Sequence, residues 1–203
     1  HIRHSEKVFN MKRLLLILVL TFSFQAFTKA DDIKDFEIEG MSIGDSLLDY
    51  YSKKDIIKSH QKSQYPSSNK YIIVNLFLEN YEKYSWVQID YAKNDNKFTI
   101  GSIAGTQEID IKKCYNLQEE ISLTFSKIFS DADKQVNSKK KIFDKTGKSK
   151  TKTIQYFLKN GDVVQISCDD WSDEITAKHN FPDVLMVTLA SSKYFEFMLK
   201  EAF

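Results

Sequence analysis

The sequence predicts an α+β domain. An antiparallel sheet of about six strands would come from two similar halves, each running helix then three strands, with a helix closing the chain. Three observations carry this. Apolar runs with strand character come in two groups of three, joined mostly by links too short for a parallel crossover. A long stretch with helical apolar spacing separates the groups. The final residues repeat that helical spacing after the last apolar run. Segments ordered this way pack as helices against an antiparallel sheet.

The first half, about 41–107, opens with Ser42-x-x-Asp45, a capping pair ahead of Ile43, Leu47, Leu48 and Tyr51. Asp45 would lie in the first turn, where a negative charge suits the helix dipole. Ser52-x-x-Asp55 repeats the signal and starts a second short helix, SKKDIIKSH, and QKSQYPSSNK is then a loop. KYIIVNLFLE (70–79) is apolar on both phases and reads as a central strand. YSWVQIDYA (84–92) alternates, with Val87, Ile89 and Tyr91 on one face. After Asn94-Asp95-Asn96, KFTIGSIAG (97–105) completes a meander.

In the second half, about 109–203, Ile121, Phe125, Ile128 and Phe129 form one stripe of a helix over about 111–131. Asn116-x-x-Glu119 offers a slightly later start. A lysine-rich loop is expected over 134–152. KTIQYFLK and DVVQISCD are joined by Asn160-Gly161, a strong hairpin signal. PDVLMVTLA (182–190) is the sixth strand. SSKYFEFMLKEAF places Phe195, Met198, Leu199 and Ala202 at core spacing.

The N-terminal region has a different character. From Met11, MKR supplies a positive start, LLLILVLTFSF an apolar core, and QAFTKA small residues at Thr28 and Ala30. That is the layout of a secretory signal peptide over 11–30, cleaved near Ala30-Asp31. Residues 1–10 read as an upstream translated segment, and 31–203 as one domain without a transmembrane anchor. The apolar core falls short of the roughly 20 residues a spanning helix needs. The expected location is periplasmic or secreted. From Asp31 onward there are 24 Lys against 27 Asp and Glu, and no Arg. That balance argues against a nucleic-acid partner, and the missing arginines against dedicated bidentate anion recognition. Cys114 and Cys168 both fall on apolar phases, and in an oxidising compartment the pair predicts a structural disulfide.

Few residues point to chemistry. Gly44-Asp45-Ser46-Leu47 matches the signature tetrapeptide of GDSL hydrolases, so Ser46 is a candidate nucleophile with His60 or His179 as base. The surroundings do not fit. FEIEGMS is not a buried strand, and the residues three before His60 and His179 are Ile57 and Thr176 rather than Asp. Ser46 therefore reads as a serine in the first turn of a helix. DKTGKS lacks the earlier glycine of a phosphate loop. CDDWSDEITAKH gathers Asp169, Asp170, Asp173 and Glu174, a weak alternative for Ca²⁺ beside the plainer reading as an acidic solvated loop. No cofactor is indicated. Eight lysines lie between Lys134 and Lys152. The run reads as a solvated, mobile connection. Ile142 and Phe143, set among Lys139, Lys140 and Lys141, keep a second reading open: a contact loop for anionic headgroups or an acidic protein.

FEIEGMSIGDSLLDYY, KKCYN around Cys114 and SCDDW around Cys168 are similar to segments of small exported proteins of AT-rich marine bacteria. That resemblance implies export and a shared fold and assigns no activity. In element order the chain also resembles the tandem helix-helix-three-strand domains of outer-membrane assembly lipoproteins and a secreted β-lactamase-inhibitor fold. The function expected is a non-enzymatic periplasmic binding or interaction module, with an envelope protein or an anionic surface as partner. A periplasmic serine hydrolase using Ser46 is the alternative.

Overall fold

The apolar runs pair into one antiparallel sheet. The computed structural model, which describes residues 32–61, 65–77 and 83–203, places seven strands in it rather than six. They are β1 (Tyr71–Leu76), β2 (Trp86–Ala92), β3 (Ile100–Glu108), β4 (Asp133–Lys140), β5 (Lys150–Phe157), β6 (Val163–Asp170) and β7 (Val184–Ala190). Their order is β1-β2-β3-β7-β6-β5-β4. Two meanders, β1 to β3 and β4 to β7, meet where β7 pairs with β3, Ser102 opposite Ala190 and Glu108 opposite Val184. The expected leader over 11–30, and residues 1–10 before it, lie outside the described residues.

The additional strand corrects the expected loop over 134–152. β4 pairs with β5 from Asp133–Phe157 to Lys140–Lys150, leaving only residues 141–149 as a turn. Its sequence, DKQVNSKK, has one apolar residue, Val136, and every position is exposed. Apolar periodicity therefore carries no signal, and the strand is defined by its backbone ladder, with Lys134 Nζ donating to Ser122 Oγ of the central helix at 2.7 Å. A second correction concerns β1, expected in the centre and found at an edge. It is apolar on both phases because Val74 and Leu76 enter the main core while Tyr71 packs on the opposite face of the sheet.

Among the described residues four α-helices accompany the sheet: α1 (Lys53–Lys58), α2 (Ile111–Ile128), α3 (Asp173–His179) and α4 (Ser192–Lys200). The helix expected from Ser42 does not form. Gly40 and Gly44 both take positive φ, +77° and +94°, which breaks the segment into turns. Only a single 3-10 turn, Leu47–Asp49, remains, and Ser46 rather than Ser42 caps it. The Ser42–Asp45 pairing survives in part, since Asp45 Oδ2 accepts from the Ser42 amide at 2.8 Å. The expected acidic loop after Asp170 instead contains α3, capped by Ser172 and ended by Asn180 in the left-handed region.

One face of the sheet carries the larger core. α2 buries Cys114, Gln118, Ile121, Ser122 and Phe125 along one stripe. Asp110 caps it, so Asn116 is not the start. Gln118 Nε2 donates to the Lys152 and Ile166 carbonyls, which fixes the helix over β5 and β6. The buried residues Ile33, Phe36, Ile38, Met41 and Leu47 share this core, with the Phe36 ring 5.0 Å from Phe129. Cys114 of α2 and Cys168 of β6, both fully buried, form the expected disulfide.

The other face has a smaller cluster of Tyr71, Ala190, Tyr194, Phe197 and Ala202, where α4 lies on the sheet. Beside it the buried Asp90 carboxylate accepts from Tyr65 Oη at 2.7 Å and from Gln88 Nε2 at 3.4 Å, and Tyr65 Oη lies 2.6 Å from Tyr194 Oη.

Candidate functional site

The turn between β4 and β5 is where the lysine-rich segment becomes a defined surface. Backbone bonds close it: Lys141 N donates to the Ser149 carbonyl, and Gly147 N, at φ +70°, to that of Asp144. The Asp144 carboxylate fills the interior. Oδ1 accepts from the amide and hydroxyl of Thr146 at 2.8 and 2.7 Å. Oδ2 accepts from the amide and hydroxyl of Ser149 at 2.8 and 2.6 Å and from the Ser172 hydroxyl at 3.2 Å. The Ser149 hydroxyl, then Thr146, hold Asp144 well below the usual carboxylate range. Ser172 N also donates to Ser149 Oγ, so the turn is tied to the start of α3. Of the GKS amides, that of Ser149 donates to the protein's own Asp144 carboxylate, that of Gly147 to the Asp144 carbonyl and that of Lys148 to the Thr146 hydroxyl, so the turn is closed by bonds within itself.

With the turn pinned, Ile142 and Phe143 face outward, 98% and 55% exposed. Phe143 is the front of an aromatic group: its ring lies 4.9 Å from His179 and 5.8 Å from Phe181, and Phe181 lies 5.0 Å from Trp171. Lys141 Nζ sits 4.7 Å over the Trp171 ring and 2.7 Å from Asp169 Oδ2. The ladder causes this meeting, because Lys150 opposes Asp170 and Thr151 opposes Asp169. Lys139 and Lys140 end β4 on opposite faces, Lys145 and Lys148 belong to the turn, and Lys178 precedes His179 in α3. None of the five forms an ion pair among the described residues.

The other candidate residues fall elsewhere. Ser46 Oγ donates to the Lys97 carbonyl at 2.6 Å and accepts from Leu48 N, and its backbone bridges Thr99 just before β3. His179 lies beyond the far end of β3, roughly 30 Å away by strand rise. His60 Nε2 is 2.9 Å from Tyr91 Oη, and burial lowers its pKa. Asp169 and Asp170, being successive in a strand, point to opposite faces: Asp169 to Lys141 and Thr151, Asp170 to Tyr115 and Lys150. Asp173 and Glu174 occupy the first turn of α3. Among the described residues no group of three or more His, Cys, Asp or Glu could hold a metal ion.

Sequence reading missed Asp144 and Phe181. Asp144-x-Thr146 with Ser149 is recognisable as a side-chain-closed turn. Phe181 has no local signal, since only the β5–β6 pairing and α3 bring it to Phe143. An open concavity of about 500 Å³ lies at the opposite end of the sheet, where Lys70, Lys93 and Lys193 line it. Lys70 is paired there with Glu201 at 2.8 Å.

Asp144→Ala is expected to loosen the turn without unfolding the sheet. Amide exchange at Thr146 and Ser149 should accelerate strongly while β6 and β7 amides keep their protection. Unchanged exchange at Ser149 would contradict the role given to Asp144.

Compared with family models, curated proteins and solved structures, the chain matches none.

Proposed function

We propose that the protein is a non-enzymatic interaction module, exported to the cell envelope, that docks through the 141–149 turn and the aromatic group behind it. The observation that carries this is Ile142, almost fully exposed next to Phe143, on a turn held shut by the Asp144 carboxylate. Large apolar side chains held in water on a fixed backbone are costly in solvent and favour a contact that covers them. The lysines around them give that contact a charge preference. Catalysis by Ser46 draws no comparable support. Its hydroxyl donates to a backbone carbonyl, and neither His60 nor His179 is hydrogen-bonded to it.

The test is a photo-crosslinker placed at position 142 in living cells. The expected result is a reproducible adduct that disappears when Lys139, Lys140 and Lys141 are changed to glutamate. A blank at 142, together with ester hydrolysis lost in Ser46→Ala, would replace this reading with the hydrolase. Fractionation of the same cells tests export, which requires the tagged protein in the periplasm or medium.

A further inference from the structure

We infer that the surface recognised by the 141–149 turn is an anionic lipid bilayer, to which the protein binds peripherally by inserting Ile142 and Phe143. The inference rests on the docking reading above and names its partner.

Two features of the turn must be matched at once. Its tip is apolar, and Lys139, Lys140, Lys145 and Lys148 of the turn and its strand end, with Lys178 of α3, form no ion pair among the described residues. An acidic protein face would match the lysines but set carboxylates against Ile142, whose burial needs an apolar partner. A bilayer supplies both in the required order, with anionic headgroups at the level of the ammonium groups and hydrocarbon beyond them. Behind the tip, Phe143 is in ring contact with His179 and Phe181, and Phe181 with Trp171, a residue type favoured at membrane interfaces. Lys141 lies over Trp171 with its ammonium turned back to Asp169, leaving the stem to cover apolar surface.

Lysine suits this partner. Headgroups are mobile, and point charges on flexible stems follow them, whereas the fixed fork of an arginine is matched to a fixed partner. The turn is already closed by the bonds of Asp144 to Ser149 and Ser172, which lowers the cost of ordering it on contact. No helix among the described residues is long and apolar enough to cross a membrane, so the contact proposed is a surface one.

The experiment is co-sedimentation of the folded protein with vesicles of phosphatidylcholine alone and of phosphatidylcholine mixed with phosphatidylglycerol. Binding is expected to the mixed vesicles only, and to weaken as salt is raised. K139A/K140A/K145A should weaken it roughly a hundredfold, at about fivefold per lysine. Ile142→Ser should weaken it roughly tenfold or more on the same vesicles. K54A/K58A, in α1 away from the turn, should leave it unchanged, and circular dichroism confirms that each variant is folded. Equal binding to both vesicle types overturns the inference. So does loss of binding in K93A/K193A in place of the turn variants, which would move the contact to the basic concavity at the other end of the sheet. If vesicles fail to bind while the crosslinker at 142 reproducibly captures a protein, the lipid inference falls and the docking reading stands. If both fail, both fall.

Discussion

Replacing Cys114 and Cys168 together by alanine is expected to lower the melting temperature by about 10 °C, the largest single effect in this fold. The two residues are 54 apart in sequence and both fully buried. In the loop-entropy account, opening such a loop costs about 4 kcal/mol. For a chain of this size each kcal/mol moves the midpoint by about 2–4 °C. The location adds to the effect. Cys114 lies in the first turn of α2 and Cys168 near the end of β6, so the bridge holds the helix start against the sheet at the end away from Phe125 and Tyr156. Thermal melts of the oxidised protein, the reduced protein and the double variant should show the first highest and the other two close together. A midpoint indifferent to reductant would refute this.

The second large effect is a fall in stability as pH rises through Asp90. Burial pushes its carboxyl up to about 6, against the opposing pull of the hydrogen bonds from Tyr65 and Gln88. Unfolded, the same group titrates near 3.8. Between those values the folded state holds the proton and the unfolded chain does not. The contribution of Asp90 to stability is then greatest below about pH 4 and declines until about pH 6, by roughly 3 kcal/mol. Asp95 and Asp144 act in the opposite sense, because hydrogen bonds depress them and their contribution is lost in acid. The signal is therefore a difference. Denaturant unfolding of wild type and Asp90→Asn over pH 4 to 7 should diverge, the wild type losing stability across this range relative to the variant. Parallel profiles would show that Asp90 does not titrate in this range. Tyr65 and Tyr194 are both raised, chiefly by burial, and stay neutral donors throughout.

Much of the sheet was legible because its strands carry side-chain patterns. Val87, Ile89 and Tyr91 alternate inward in β2, and Asn160-Gly161 makes the β5–β6 turn with Gly161 at φ +87°. The stripe of α2 and the cysteine pairing followed from the same phases. What failed to show had no such pattern. DKQVNSKK is exposed at every position, so nothing in its residues distinguishes a strand from a loop. The segment from Ser42 has helical caps, and the positive φ of Gly44 overrides them. At the candidate surface, Ile142 and Phe143 stand out among lysines in the sequence itself. Their neighbours Trp171, His179 and Phe181 do not, because contact between residues 143 and 181 is created by strand register and by α3.

The place of β7 in the sheet also bears on the order in which the molecule can be assembled. This strand is the last of the seven in chain order, yet it is the seam between the β1–β3 and β4–β6 ladders. Until Val184–Ala190 arrives, β3 and β6 each present an unpaired edge, and the two halves share no strand pairing. Completion waits for contacts between residues far apart in sequence, Ser102 with Ala190 being 88 positions apart, and closures over such distances are slow. The sheet is therefore not continuous until β7 joins its two ladders.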